Sequence, residues 1–120
     1  MQTSIKPNKV ALITGASRGI GAATAILLAE QGYDICVNYV RNDVAAEQVK
    51  HQILKLGVKC ITVKADVSKS NEVDQLFSTI DAQLGHLSVL VNNTGILKPQ
   101  SRLIDMQEGR FSQVLNTNVM

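Results

Sequence analysis

The sequence predicts an α/β protein: a doubly wound parallel sheet with helices on both faces. Three observations carry this. Short apolar runs bounded by turn residues alternate with longer segments of helical period, the pattern of βαβ units. The first apolar run, Val10 to Ile13, leads into Thr14-Gly15-Ala16-Ser17-Arg18-Gly19-Ile20-Gly21 and then into the alanine- and leucine-rich run Ala22 to Ala29. That is a strand, a tight glycine turn and a helix. Right-handed crossovers, together with a glycine turn after strand one, give the strand order 3-2-1-4. The winding then reverses beside strand one, and the ligand crevice lies outside the C-terminal ends of the strands.

Strand one is Lys9 to Thr14, a continuous apolar run suited to a sheet covered on both faces. Helix one spans about Arg18 to Gln31. It is apolar nearly all round (Ile20, Ala23, Ile26, Leu27, Leu28), so it is expected to be largely buried. Gly32 stops it. Strand two is Asp34 to Tyr39, and Asn42 or Asp43 caps helix two. Val49, Ile53 and Leu56 form that helix's apolar stripe, and Gly57 ends it. Strand three is Lys59 to Lys64. Ser68 or Ser70 caps helix three, whose stripe of Val73, Leu76, Phe77, Ile80 and Leu84 is the cleanest helical period in the chain. Gly85 ends it, and Leu87 to Val91 is strand four. A last helix is expected over Phe111 to Val119. With four strands, the apolar edge of strand four (Val89, Leu90, Val91) is expected to be exposed.

Composition narrows the function classes. Hydrophobic residues make up 45% and charged residues 18% of the 120, which reads as globular rather than disordered. The net charge of +2 is too small to argue for nucleic acid or a membrane surface as partner. No apolar run approaches the roughly 20 residues of a membrane span. The first nine residues are polar and carry no signal-peptide core, so the expected location is cytoplasmic. Cys36 and Cys60 fall in separate strands without metal-ligand spacing and read as buried free thiols, a disulfide or redox role being the alternative, with no metal site. His51 and His86 lie far from the strand ends and read as surface residues.

Chemistry gathers at those strand ends. The glycine turn follows strand one. Asn38-Tyr39-Val40-Arg41-Asn42 ends strand two, Ala65-Asp66-Val67 ends strand three, and Asn92-Asn93-Thr94-Gly95 ends strand four. Leu115-Asn116-Thr117-Asn118-Val119 falls in the last expected helix. A glycine turn at a helix N-terminus offers bare N–H groups and a dipole that favours an anion. In this order and spacing, the chain resembles the N-terminal half of a short-chain dehydrogenase/reductase from Lys9 onward. Among its members, the 3-oxoacyl-carrier-protein reductases and the glucose-dehydrogenase-like enzymes are the nearest in pattern. Thr-Gly-x-x-x-Gly-x-Gly at 14–21 matches that family's cofactor loop, Asp66-Val67 its adenine-binding pair, and Asn118 its active-site asparagine. Asn92-Asn93-Thr94-Gly95 matches its Asn-Asn-Ala-Gly with threonine in place of alanine at 94.

The resemblance implies a Rossmann-type domain that binds a dinucleotide. Gly15, Gly19 and Gly21, with Ile20, would shape the pyrophosphate loop, and Ser17 would bond phosphate or ribose oxygens or else cap helix one. Asp66 would accept from the adenine amino group while Val67 contacts the ring; the alternative for Asp66 is a cap on the approach to helix three. Asn93, Thr94 and Gly95 would line the ribose and nicotinamide side, and Asn92 would tie neighbouring strands. Cofactor choice turns on charge. A site that prefers NAD carries an acid about 20 residues on, at the end of strand two. Here that place holds Tyr39, flanked by Asn38, so the repelling carboxylate is missing and both residues are expected to contact the cofactor. Arg18 and Arg41 can both face a 2′-phosphate, since guanidinium pairs bidentately with phosphate oxygens. NADP(H) is favoured and NAD(H) is the alternative; Arg41 is otherwise a solvated surface charge.

The family's proton donor is a tyrosine with a lysine four residues later. The two tyrosines here, Tyr33 and Tyr39, are followed at that distance by Val37 and Asp43. Residues 1–120 are therefore expected to be an incomplete NAD(P)-binding domain that stops before the Tyr-x-x-x-Lys pair. The first functional reading is the cofactor half of an NADP(H)-dependent oxidoreductase acting on a small alcohol or ketone. The resemblance makes that enzyme a homotetramer or homodimer. The second is a dinucleotide-binding fragment without turnover, and the third a structural protein with a vestigial glycine loop.

Overall fold

A computed structural model of the protein describes residues 8–93 and, as backbone, residues 113–116. The elements are β1 (Val10–Ile13), α1 (Gly19–Glu30), β2 (Asp34–Tyr39), α2 (Asp43–Leu54), β3 (Cys60–Lys64), α3 (Ser70–Gln83), β4 (Leu87–Asn92) and β5 (Gln113–Asn116). They form one parallel sheet in the order β3-β2-β1-β4-β5. The order 3-2-1-4 read from the sequence is therefore the observed one, with a further strand added outside β4.

Alternation along the strands divides the core between the two faces of the sheet. Ala11, Ile13, Ile35, Val37, Val89 and Val91 meet the buried faces of α1 and α2. Val10, Leu12, Cys36, Leu87 and Leu90 meet Val73, Leu76, Phe77 and Ile80 of α3 on the other side. Cys36 and Cys60 project to opposite faces of this sheet, in different clusters, and both are free thiols. Burial pushes the Cys60 thiol up to about 12 and the Cys36 thiol higher still.

Four local expectations are corrected. Helix one is not buried all round. The stripe that meets the sheet is made of small residues, Gly21, Ala25 and Ala29. Ile20 and Leu27 are more than half exposed or nearly so, at 50% and 56%. A helix laid on a sheet covers one face only, and here the close approach selects the residues without bulk. Helix two ends at Leu54, so Leu56 lies past its last turn and is exposed. Neither Ser68 nor Ser70 caps α3. Lys69 holds the N-cap position without a side-chain bond, because Ser68 is engaged by Asp66. Asn42 does cap α2, its Oδ1 accepting from Ala45 N at 2.9 Å.

The fourth correction concerns the end of the chain. Gln113–Asn116 is a strand, where the helix over Phe111 to Val119 was expected. It pairs with β4 through Val89↔Gln113, Leu90↔Val114, Val91↔Leu115 and Asn92↔Asn116, so β4 is not an exposed edge. The physical reason is that an apolar strand edge offers a row of unpaired backbone groups, whereas Asn116 and Thr117 give a helix little support. Residues 111–112 and 117–119 of the expected helix lie outside the described residues.

Candidate functional site

The C-terminal ends of β1, β2, β3 and β4 open onto one crevice of about 530 Å³. Gly15, Ser17 and Arg18 of the glycine turn form one wall. Tyr39, Val40, Arg41 and Asn42 come from the end of β2, and Asp66, Val67 and Ser68 from the end of β3. Asn93, just past β4, closes the crevice on the far side of the turn.

The glycine turn is held from both sides. Gly15 N donates to Asn38 Oδ1 at 3.3 Å, and Gly15 O accepts from Asn93 Nδ2 at 3.1 Å. Gly15 sits at φ +60°, in the left-handed region that a side chain disfavours. Gly21 matters for a different reason. A Cβ there would stand 2.5 Å from Asn93 Nδ2, 2.5 Å from Gly15 O and 3.0 Å from the Ala16 Cα. The missing side chain at 21 thus makes room for the Asn93–Gly15 bond. Thr14 completes the join to β4. Its hydroxyl donates to Asn92 Oδ1 at 3.1 Å and accepts from Asn93 N at 2.8 Å. Both Thr14 and Asn92 are buried.

At the head of α1, Arg18 is the N-cap residue, with extended backbone and no side-chain cap, and no acid stands in the first turn. Ser17 therefore does not cap the helix and faces the crevice instead. The first-turn N–H groups have no intrahelical acceptors, so this terminus suits an anion.

The ends of β2 and β3 are tied as closely. Asn38 is buried, with 1% of its surface exposed. Its Nδ2 donates to Val63 O at 3.3 Å and to Ala65 O at 3.0 Å, and its backbone O accepts from Ala16 N at 2.8 Å. Burial first, and then a hydrogen bond with the Asp43 carboxylate, hold the Tyr39 phenol above its ordinary range. Asp66 Oδ1 accepts from both Ser68 N (2.9 Å) and Ser68 Oγ (2.7 Å). Those two bonds hold its carboxyl below the usual range. The Asp66 N–H is taken by Glu72 Oε1 at 2.8 Å, reaching back from the first turn of α3.

Of the residues singled out in the sequence, the fold brings Gly15, Ser17, Arg18, Tyr39, Arg41, Asp66, Val67 and Asn93 around one space. Gly19 and Gly21 stand behind it at the start of α1, Ile20 is half exposed there, and Asn38 lies beneath the floor. Thr94, Gly95 and Asn118 lie outside the described residues. Sequence reasoning missed Thr14, Ser68 and Glu72 as framework residues. Thr14 precedes the first glycine, and Asp66-x-Ser68 is an Asx-turn pattern; both signals were legible. A second hollow, about 660 Å³, runs along the outer face of α2 and includes His51. Its described lining comes from that helix and its C-cap Lys55, so no groups from different elements converge there. Among the described residues, no three His, Cys, Asp or Glu side chains cluster to hold a metal. Nor is any helix among them long and apolar enough to cross a membrane.

The family model for short chain dehydrogenase matches residues 9–120. The chain belongs to the short-chain dehydrogenase family. It is 46% identical over 110 residues to the uncharacterized oxidoreductase YgfF of Escherichia coli, covering 92% of this chain and 44% of that protein. It is 43% identical over 112 residues to the 3-oxoacyl-[acyl-carrier-protein] reductase FabG of Staphylococcus epidermidis, covering 93% and 46%. The chain thus spans about half the length of the curated relatives it matches. Among solved structures, the acetoin dehydrogenase of Enterobacter cloacae superposes with a TM-score of 0.69 at 34% identity, over 74% of this chain and 35% of that one. A hydroxysteroid dehydrogenase of Escherichia coli gives the same TM-score and identity over 75% and 38%.

Proposed function

We propose that this chain is the cofactor-binding part of an NADP(H)-dependent oxidoreductase that acts on a small alcohol or ketone. The observation that carries the reading is the crevice itself. A glycine turn with an uncapped helix N-terminus faces Asp66 across a space whose rim carries Arg18 and Arg41. The residues fit a dinucleotide. The turn has no side chain at Gly15, and the head of α1 supplies N–H donors for a pyrophosphate. Asp66 is kept ionised by Ser68, which leaves its second oxygen to accept from an adenine amino group. Arg18 and Arg41, with no acid at the end of β2, favour a 2′-phosphate over a bare ribose hydroxyl pair. When bound, the nicotinamide supplies the hydride chemistry. This chain's residues bind and orient the dinucleotide, with Asn93 on the nicotinamide side; the family resemblance extends that role to Thr94 and Gly95 and gives Asn118 a part in the reaction. The substrate class rests on the reductase and dehydrogenase relatives. We place the protein in the cytoplasm and expect a homotetramer or homodimer.

Titration of the native protein with NADPH and NADH, followed by nicotinamide fluorescence, tests the reading. NADPH is expected to bind more tightly. Arg41→Ala is expected to weaken NADPH about tenfold, the loss of roughly one charge-assisted hydrogen bond. NADH should change little. Equal binding of the two cofactors, with Arg41→Ala affecting both alike, refutes the NADP assignment. Ketone-dependent oxidation of NADPH by the native protein tests the oxidoreductase part of the reading.

A further inference from the structure

The Asn38 side chain touches three backbone groups and is sealed from solvent. One arm takes the N–H of Gly15, where the glycine turn begins. The other holds the carbonyls of Val63 and Ala65, where β3 runs out into Asp66-Val67. In a parallel sheet, strands diverge at their ends, and the last backbone groups lose their ladder partners. Here one amide replaces that ladder, with the acceptor facing the turn and both donors facing β3. The backbone agrees: Ala16 N donates to Asn38 O at 2.8 Å and Ala65 N to Tyr39 O at 2.9 Å.

We propose that Asn38 is a positioning residue that fixes the distance between the two halves of the cofactor site, the pyrophosphate turn and the adenine wall, without touching the cofactor. The inference rests on the dinucleotide-binding reading above. A ligand that spans two subsites gains affinity from their fixed separation; when the separation varies, each half still binds but the gain is lost. No residue of similar size duplicates the amide. Aspartate keeps the acceptor for Gly15 but turns a second oxygen toward two carbonyls. Serine is too short to bridge.

The test compares three ligands on the native protein and on Asn38→Asp: NADPH, adenosine and inorganic pyrophosphate, the last two by displacement or calorimetry. The expected result is a fall of tenfold or more for NADPH, with adenosine and pyrophosphate each within about threefold of wild type. A merely structural residue would lower all three together or none. Asn38→Ser, which carries no charge, is expected to act in the same direction with a smaller loss, and it serves where Asn38→Asp does not fold. Unchanged NADPH binding in a folded variant, or an equal fall for all three ligands, overturns the proposal. Failure of the wild-type protein to bind NADPH overturns the dinucleotide reading, and this inference with it.

Discussion

Replacing Gly21 with alanine sets two effects of opposite sign against each other. Gly21 lies inside α1 and has no positive φ, so alanine's backbone preference alone would stabilise the helix by about 1 kcal/mol. Packing opposes this. The new methyl would meet Gly15 O at 2.5 Å and the Ala16 Cα at 3.0 Å, and both are backbone atoms. Ordinary contact would require the turn to retreat by roughly 1 Å. It would also meet Asn93 Nδ2 at 2.5 Å, which ends the 3.1 Å bond from Asn93 to Gly15 O. Overpacking of this kind costs about 1–3 kcal/mol, and the lost bond adds about 1 kcal/mol. The packing side wins, for a net loss of about 1–3 kcal/mol and a midpoint lowered by roughly 4 °C or more. Thermal and urea unfolding of the native protein, followed by circular dichroism, measure it. In an Asn93→Ala background part of the obstruction is already gone, so the same substitution should cost less, with a coupling of about 0.5–1.5 kcal/mol. A Gly21→Ala protein as stable as wild type, or more stable, refutes the claim that this glycine exists to clear the turn.

Three further outcomes follow from the same network. Thr14→Val keeps the shape but leaves Asn92 Oδ1 and Asn93 N without the hydroxyl between them; it should cost about 2 kcal/mol in urea unfolding, with Thr14→Ser largely restoring it. Asn42→Ala removes the α2 cap and should cost about 1 kcal/mol, whereas Asn42→Asp should be nearly neutral. The thiols give a pH dependence. Burial raises both in the folded state, so their contribution is complete below the ordinary thiol value of 9.0 and is lost as pH climbs from there toward about 12 for Cys60. Unfolding free energies measured on either side of pH 9.0 should therefore fall less steeply in Cys36→Ala/Cys60→Ala than in wild type.

Much of this was legible in the sequence because the signals are local. β2 is bounded as expected at Asp34 and Tyr39, since a polar or glycine turn closes each end of the run. The α3 stripe of Val73, Leu76, Phe77 and Ile80 is buried as its period required. What the sequence concealed depends on partners distant in the chain. Apolar content alone could not say which side of α1 meets the sheet; the alanines do, because close packing there excludes bulk. Residues 113–116 became a strand through the unpaired edge of β4, a partner that no window around Val114 contains. At the site, the residue types were readable but their division of labour was not. Asn38 looked like a cofactor contact by its place at a strand end, and only burial shows its amide spent on Gly15, Val63 and Ala65.

Gly15 hangs between asparagines from the strands on either side of its own, its N–H held by one and its carbonyl by the other. Glycine is the residue that loses most freedom on folding, and a glycine turn left to itself would still have that freedom when a ligand arrived. Suspended in this way, the turn is ordered when the sheet forms. Binding then has no wandering loop to arrest, and its entropy cost falls mainly on the ligand. The same arrangement ties readiness to bind to folding itself: the floor of the crevice should soften when β2 and β4 come apart from β1, and not before.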